Sequence, residues 1–264
     1  MALVRLLGRH IYYSASPAMH NAAFASLELP HRYEVADVPV DELAQAVAGL
    51  RGEDWLGANV TVPHKAAVLG LLDDVEPLAR RATAVNTIRR SAGRLLGSNT
   101  DIPAIGEEIE RLQPTPRHAL VLGAGGAARA VSIALEQAGA EQVTLVSRSR
   151  ASGSAAWSSL PGLLSEADLL VNATPVGTES DASPVPGRQL RPELAVLDLV
   201  YRPSPTRLVS EARAAGAPAR AGAGVLLGQG WRSLEAWLGK RVSDKVRAVM
   251  ADALRAELGE GADV

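Results

Sequence analysis

The stretch Ala119-Leu-Val-Leu-Gly123-Ala-Gly125-Gly126-Ala-Ala128 decides the fold. It consists of an apolar strand, a glycine turn and the start of a helix, and it fits the pattern G-x-G-x-x-A. Gly123 permits the tight turn, Gly125 lets backbone N–H groups approach a pyrophosphate, and Ala128 permits close packing of the helix on the strand. The N-terminus of the helix then faces the phosphates. This order of strand, motif and helix predicts a dinucleotide-binding unit.

The end of the next strand predicts which dinucleotide is bound. An NAD site has an acidic residue about 20 residues after the motif, where it binds the ribose hydroxyls. Here the strand ends Leu145-Val-Ser147-Arg148-Ser149, with no carboxylate. Arg148, flanked by the hydroxyls of Ser147 and Ser149, can form a charge-assisted pair with a 2′-phosphate. We therefore predict NADP as the cofactor; the alternative is that Arg148 is a solvated arginine at a strand end.

Strand and helix patterns alternate on both sides of this unit. Such alternation is typical of α/β proteins with a mainly parallel sheet that helices cover on both faces. Pro63 opens a predicted helix over 63–72, and the segment 113–116 predicts a hinge or a boundary because it carries two prolines. The short interval between Ser147 and Asp168 predicts that this edge of the nucleotide sheet is trimmed to a short helix or loop around 155–164.

Composition narrows the class of protein further. The 264 residues include 47% hydrophobic and 21% charged residues, as in ordinary globular proteins, so global disorder is excluded. The absence of cysteine excludes disulfides, thiolate catalysis and cysteine-ligated zinc. A net charge of −2 and an aromatic content of 3% give no reason to expect nucleic-acid binding. With no membrane-length apolar run and no secretory segment, we expect a cytoplasmic protein that has no membrane partner and no metal and acts on a small molecule.

Polar residues cluster at the ends of predicted elements in the first hundred residues. The clusters are Ser14-Ala-Ser16-Pro17, Asn59-Val-Thr61-Val-Pro-His-Lys65, Ala84-Val-Asn86-Thr87 and Gly97-Ser-Asn-Thr-Asp101. A purely structural role for these segments does not require so many hydroxyl and amide side chains. Lys65, predicted in the first turn of a helix, can carry a proton because its surroundings can tune its pKa, whereas an arginine stays protonated.

Together these segments closely resemble the shikimate dehydrogenase family, from Gly8 to about Gly239. Further matching pieces are Asn172-Ala-Thr-Pro-Val-Gly177, Asp198-Leu-Val-Tyr201 and Gly222-x-Gly224…Gln229-Gly230. The resemblance implies an NADPH-linked enzyme that reversibly reduces 3-dehydroshikimate to shikimate in chorismate and aromatic amino-acid biosynthesis. It implies two α/β domains with a cleft between them: a mainly parallel N-terminal substrate domain and a Rossmann-type NADP-binding domain.

The resemblance also implies domain limits and residue roles. The substrate domain covers 1–102, completed by C-terminal helices in 225–264, and the NADP-binding domain covers 103–224. Lys65 and Asp101 form the implied catalytic pair. The implied substrate-binding residues are Ser14, Ser16, Thr61, Lys65, Asn86, Asp101, Tyr201 and Gln229. The implied cofactor-binding residues are Gly123, Ala124, Gly125, Gly126, Ala127, Ser147, Arg148, Ser149, Leu199 and Gly222.

Some of these residues also have structural explanations. Ser16 fits the N-cap of a helix with Pro17 at its first position, and Asp101 fits a cap before the next helix. Three rival functions stay open: a quinate/shikimate or aminoshikimate dehydrogenase, a shikimate-sensing relative without turnover, and another Rossmann reductase with a catalytic lysine. We expect a small-molecule substrate, no nucleic-acid partner, and a monomer or homodimer.

Overall fold

The computed structural model describes residues 1–112, 115–149, 153–178, 180–259 and 261–264. The chain divides into two compact units. Unit 1 comprises Met1–Thr100 and Leu227–Glu257, and unit 2 comprises Asp101–Leu226 and Leu258–Val264. The chain enters unit 2 at Asp101, next to the predicted domain limit at 102 and 103. The hinge or boundary predicted at 113–116 stays a prediction, and Gln113 and Pro114 lie outside the described residues. The last seven residues group with unit 2, whereas the prediction joined all of 225–264 to the substrate domain.

Unit 1 contains a six-stranded mixed sheet. Its strands are β1 (Leu3–Gly8), β2 (Arg32–Asp37), β3 (Trp55–Val60), β4 (Asp74–Val75), β5 (Thr87–Ser91) and β6 (Arg94–Ser98), in the order β2-β1-β3-β5-β6-β4. The β2-β1-β3 part and the β4-β6 pair are parallel, whereas β5 is antiparallel to both of its neighbours. The β5–β6 hairpin turns at Ala92 and Gly93, both with positive φ, as a two-residue hairpin loop requires.

The helices of unit 1 pack against its sheet. They are α1 (Ser16–Ser26), α2 (Leu43–Gly49) and α3 (Pro77–Ala82). The residues that follow Leu226 in α8 (Ala223–Leu238), and most of α9 (Asp244–Leu258), also belong to unit 1. One core cluster joins Leu7, Val60, Ile88 and Leu95 from the sheet with Val47 of α2, all at most 2% exposed.

Unit 2 contains a six-stranded sheet in which every pair is parallel. Its strands are β7 (His118–Leu122), β8 (Gln142–Ser147), β9 (Ala155–Ala156), β10 (Leu169–Asn172), β11 (Ala195–Asp198) and β12 (Ala219–Arg220), in the order β12-β11-β10-β7-β8-β9. Helices α4 (Asp101–Leu112), α5 (Gly126–Gln137), α6 (Leu160–Glu166) and α7 (Arg207–Ala214) complete the unit. Strands β7 and β10 are wholly buried, as a parallel sheet with covered faces requires.

The predicted trimming of one sheet edge is confirmed. Between β8 and β10 the described residues form the two-residue strand β9, a 3₁₀ turn at Trp157–Ser159 and the seven-residue helix α6. The short strand β9 was not predicted, because two alanines carry no strand pattern. No helix among the described residues combines the length and apolar character that crossing a bilayer requires.

The predicted helix over 63–72 is wrong. Residues 63–66 form a turn after a cis Val62–Pro63 peptide, and only a 3₁₀ segment, Ala67–Leu71, follows. The backbone carbonyl of Lys65 accepts a hydrogen bond from the N–H of Val85, a residue distant in the sequence, at 2.8 Å. Lys65 therefore lies on a turn tied to the segment that leads into β5.

Candidate active site

The carboxyl ends of β1 and β3 lie at the same edge of the unit 1 sheet as the start of β5. In the pairing register, Asn59 of β3 lies opposite Thr87 of β5, and Thr87 lies opposite Ser98 at the end of β6. The loops after β1, β3 and β6 and the segment before β5 therefore meet at this edge, and we call it the polar edge. Every substrate residue predicted in the first hundred residues lies in one of these segments.

The serines and Thr61 occupy adjacent parts of the polar edge. The N–H of Ser14 donates to the carbonyl of Ile11, and the Ser14 hydroxyl accepts from the N–H of Ser16 at 3.3 Å. A Cβ built on Gly8 would lie 2.5 Å from the Thr61 methyl and 2.9 Å from Ile11, so Thr61 packs directly against the loop that carries Ser14. The structure corrects the N-cap prediction: Ala15 is the N-cap of α1 and Ser16 is its first residue.

Lys65 is half-buried and lies next to the segment that carries Asn86. Its carbonyl bonds with Val85, and the N–H of Asn86 donates to the carbonyl of Ser98 at 3.1 Å. The neighbouring His64 is buried, and its Nε2 lies 2.7 Å from the carbonyl of Val38. His64 thus has a structural partner, which fits a supporting rather than a chemical role.

A buried hydrogen-bond network orients Asn86. Its Oδ1 accepts from the N–H of Thr100 at 2.8 Å and from the hydroxyl of Thr87 at 3.0 Å, and its Nδ2 donates to Thr100 Oγ1 at 3.0 Å. Nδ2 also lies 3.5 Å from Oε1 of Gln229 on helix α8. The structure therefore brings together two predicted substrate residues that lie 143 positions apart.

Sequence reasoning missed the partners that complete this network. The hydroxyl of Ser233, fully buried on α8, contacts Asn59 Nδ2 at 3.0 Å and Thr87 Oγ1 at 2.8 Å. The Tyr33 hydroxyl donates to Asn59 Oδ1 at 2.9 Å. Nothing in the sequence pattern identified Ser233 or Tyr33, because each reads locally as an ordinary residue of a helix or a strand.

His20, on α1 four residues after Ser16, is fully buried among aromatic side chains. Its ring stacks on Tyr33 with centroids 4.4 Å apart, and Trp237 lies 5.1 Å away. Neither ring nitrogen has a hydrogen-bond partner among the described residues. Burial lowers the pKa of His20 to about 3, because desolvation disfavours the charged ring. His20 is therefore neutral at neutral pH and packs as an aromatic side chain.

In unit 2 the glycine turn has the geometry that its sequence predicts. Gly123 has φ of +119°, and a Cβ there would lie 3.0 Å from the carbonyl oxygen of Ala173. Gly125, the N-cap of α5, has ordinary backbone angles, and a Cβ there would meet no protein atom within 4 Å. The protein therefore needs glycine at 123 for its own packing, whereas at 125 the open side of the turn fits a bound phosphate group.

The end of β8 presents two hydroxyls and one exposed guanidinium. Ser147 and Ser149 lie 2.9 Å apart through their hydroxyls, and the N–H of Ser149 donates to Ser147 Oγ at 3.2 Å. Arg148 between them is exposed, and no ion pair joins it to a carboxylate of the described residues. The arrangement suits a phosphate monoester, which a guanidinium and hydroxyls bind together.

The ends of β10 and β11 are tied together by Asn172 and Asp198. Asn172 Nδ2 donates to Asp198 Oδ1 at 2.8 Å, and the Thr206 hydroxyl donates to Asp198 Oδ2 at 2.7 Å. Burial raises the pKa of Asp198 to about 6, although its hydrogen bonds to Thr206, Val200 and Asn172 oppose the shift.

The next residues place Leu199 and Gly222 together. The N–H of Leu199 donates to the carbonyl of Asn172 at 3.0 Å. A Cβ on Gly222 would lie 2.2 Å from the carbonyl oxygen of Leu199, so only glycine fits there. The predicted cofactor residues of unit 2 thus follow strand ends that lie side by side, at the carboxyl edge of the parallel sheet.

Two of the predicted substrate-binding residues belong to unit 2 rather than unit 1. Asp101 is the first residue of α4, and Tyr201 follows β11 and is half-buried. Their pairing with the residues of the polar edge stays a prediction. Among the described residues, no group of three or more His, Asp or Glu side chains is arranged to hold a metal ion.

The parallel sheet, the glycine turn and the helix start define unit 2 as a Rossmann-type fold in a two-unit α/β protein. A family model described as "Shikimate dehydrogenase substrate binding domain" matches residues 6–88. A protein of Symbiobacterium thermophilum named "Shikimate dehydrogenase (NADP(+))" is 42% identical over 263 residues, covering 90% of each chain. The chain belongs to the shikimate dehydrogenase family.

Two solved structures are similar over nearly the whole chain. The crystal structure of shikimate 5-dehydrogenase from Thermus thermophilus, in complex with NADP(H) and shikimate, has a TM-score of 0.87 and 39% identity and covers 98% of this chain and 100% of that chain. A ligand-free 5-ketofructose reductase of a Gluconobacter species has a TM-score of 0.80 and 32% identity, covering 97% and 98%. The same fold is therefore shared by a structure named as a 5-ketofructose reductase.

Proposed function

We propose that this chain is an NADP-dependent oxidoreductase that reversibly reduces 3-dehydroshikimate to shikimate, in chorismate and aromatic amino-acid biosynthesis. The observation that carries the proposal is the 39% identity, over 98% of the chain, to a protein whose structure contains NADP(H) and shikimate. The polar edge supports it, because its amides, hydroxyls and one lysine suit a small ligand that carries several hydroxyls and a carboxylate.

The substrate-binding roles follow from chemical type. Ser14, Ser16 and Thr61 offer hydroxyls that can donate to a carboxylate or accept from an alcohol. Asn86 and Gln229 offer amides that match ring hydroxyls, and their orientation is already fixed by buried hydrogen bonds. Such preorganisation limits the entropy lost on binding. Asp101 and Tyr201 of unit 2 complete the proposed set.

The residues of unit 2 fit NADP. The start of α5 and the glycine turn, Gly123–Ala127, would hold the pyrophosphate, and Ser147, Arg148 and Ser149 would hold the 2′-phosphate. Leu199 and Gly222 would line the remaining part of the site. The bound cofactor supplies the hydride of the reduction.

Lys65 and Asp101 are the proposed catalytic pair. In the reducing direction the Lys65 ammonium gives a proton to the carbonyl oxygen of 3-dehydroshikimate, and in the other direction the amine accepts it. Asp101 holds a substrate hydroxyl and orients the amine. Because an arginine would stay protonated throughout, a lysine is the cation that can do both.

We also propose that the enzyme acts in the cytoplasm as a monomer or homodimer. Its proposed partner is a small-molecule substrate, with no nucleic acid and no membrane. Size-exclusion chromatography with light scattering measures the oligomeric state. A larger assembly would contradict the proposal.

The test of function is a spectrophotometric assay of NADPH formation. Shikimate, quinate and aminoshikimate are offered separately with NADP or with NAD, and 5-ketofructose is offered with NADPH. We expect rapid turnover with shikimate and NADP only. Comparable turnover of quinate or aminoshikimate, or with NAD, would assign the chain to a broader dehydrogenase. Tight shikimate binding without turnover would assign it to a sensor, and turnover of 5-ketofructose alone would move it to the reductase that shares its fold.

A further inference from the structure

We infer that Ser233 is a positioning residue for substrate binding. Its hydroxyl holds helix α8, and therefore Gln229, in place against the segment that carries Asn86. The inference rests on the proposed function, since Gln229 and Asn86 are substrate residues only within that function. It adds a residue that the family resemblance does not assign.

The hydroxyl of Ser233 lies where the helix meets three segments of the sheet. It donates to the carbonyl of Gln229, one turn earlier on α8, at 2.9 Å. Asn59 Nδ2 from the end of β3 lies 3.0 Å away. Thr87 Oγ1 from the start of β5 lies 2.8 Å away, and Thr100 Oγ1 after β6 lies 3.2 Å away.

A serine hydroxyl can satisfy this arrangement fully. It has one proton and two lone pairs. The proton goes to the Gln229 carbonyl, one lone pair accepts from Asn59 Nδ2, and the other accepts from the Thr100 hydroxyl, since the Thr87 proton goes to Asn86 Oδ1. Ser233 is 0% exposed, so water cannot replace it in the network. Removal of the hydroxyl leaves the Asn59 N–H, which is buried, without this acceptor.

The same threonines orient the predicted substrate amide. The Thr87 hydroxyl and the backbone N–H of Thr100 both donate to Asn86 Oδ1, and Asn86 Nδ2 lies 3.5 Å from Gln229 Oε1. Ser233 thus touches the carbonyl of one substrate residue and the hydrogen-bond partners of the other. A shift of this helix turn would move Gln229 away from Asn86. The chemical groups proposed to contact the substrate would stay the same, and only their positions would change.

The experiment compares S233A with a matched control, S210A. Ser210 on α7 makes the same hydroxyl bond to the carbonyl four residues earlier, Thr206, at 2.9 Å, but it is exposed and lies in unit 2. For S233A we expect the KM for shikimate to rise about tenfold while kcat stays within about threefold, since binding rather than chemistry is affected. The KM for NADP stays at the wild-type value, and S210A behaves as wild type.

A double-mutant cycle with Q229A tests the route of the effect. If Ser233 acts through Gln229, S233A raises the shikimate KM less than about twofold in the Q229A background. A lowered melting temperature with an unchanged shikimate KM would show a purely structural role and would overturn the inference. Equal effects of S233A in both backgrounds would overturn it as well.

Two precautions keep the outcomes distinct. If S233A does not fold, S233C keeps the side-chain volume and only a weak hydrogen bond, and it replaces S233A with the same expected split between KM and kcat. Wild-type protein that neither binds nor oxidises shikimate would refute the proposed function, and this inference with it. Wild-type activity together with an unaffected S233A or S233C would refute the inference alone.

Discussion

At the residue scale, the proposed proton transfer depends on one lysine. Lys65 is held at the polar edge by its own backbone carbonyl, which pairs with Val85. We expect K65A to lower turnover about 10²- to 10⁴-fold, because the positioned proton carrier is lost, with little change in NADPH affinity. Steady-state kinetics and fluorescence titration of NADPH measure the two quantities. K245A, at an exposed site on α9, is the control. A K65A enzyme with near-normal turnover would contradict the catalytic assignment.

Cofactor choice is also a residue-scale property. We expect R148A to reduce the preference for NADP over NAD about 10- to 100-fold, because one charge-assisted pair with the 2′-phosphate contributes about 1.5–3 kcal/mol. The measurement is the ratio of kcat/KM for NADP and NAD at fixed ionic strength. R188A, in the 3₁₀ turn Gly187–Gln189 of unit 2, serves as the charge-matched control. An unchanged ratio in R148A would assign the preference to other residues.

At the scale of an element, two glycines in loops at strand ends allow the effect of a substitution on stability to be distinguished from its effect on NADP binding. A Cβ on Gly222 would lie 2.2 Å from a backbone carbonyl, whereas a Cβ on Gly125 would meet no protein atom. We expect G222A to lower the free energy of unfolding by about 1–3 kcal/mol, through overpacking. G125A should leave it nearly unchanged and should weaken NADP binding.

Thermal denaturation and NADPH titration on both variants check this contrast. The two substitutions add the same methyl group, so each is the control for the other. Normal NADPH affinity in G125A would show that the glycine turn does not approach the cofactor. Normal stability in G222A would show that β11 and the loop before α8 can move apart.

Elements that bury a regular apolar face were predictable from the sequence. The strand, glycine turn and helix start predicted over 119–128 have the predicted order, because the apolar run and the turn residues define them locally. The helix predicted from Pro63 failed, because a hydrogen bond between Lys65 and Val85 decides that segment. Such a contact between segments distant in the sequence leaves no periodic signal.

The residues of the candidate site also divide into those that local sequence identifies and those that only contacts between distant segments identify. The motif residues that end a strand or open a helix, such as Asn86 and Gly123, could be found by their sequence context. Ser233 and Tyr33 could not, because their roles depend on partners up to 174 positions away, such as Asn59. A single serine in a helix is locally indistinguishable from a solvated one. Only the fold reveals that it is wholly buried among polar groups.

Two buried titratable groups, Asp198 and His20, act in opposite directions on the pH dependence of the stability of the whole molecule. Asp198 in unit 2 has its pKa raised to about 6, so its contribution to stability is present below pH 4 and is lost as the pH rises towards 6. His20 in unit 1 has its pKa lowered to about 3, so its contribution is present above pH 6.5 and is lost as the pH falls. Between about pH 4 and 6 the two slopes nearly cancel.

Removing either titratable group should therefore reveal the effect of the other on how the free energy of unfolding changes with pH. Relative to wild type, the free energy of unfolding of D198N should rise by about 3 kcal/mol from pH 4 to pH 6, and that of H20F should fall by a similar amount. Urea titrations followed by circular dichroism at pH 4, 5, 6 and 7 measure these differences within each variant, so a constant packing cost of the substitution does not affect the result. Because the chain has two units, both the midpoint and the slope of each transition are needed. Parallel pH profiles for wild type and D198N would mean that Asp198 ionises in the folded protein as it does in water, and its hydrogen bonds with Asn172 and Thr206 would then offset its burial.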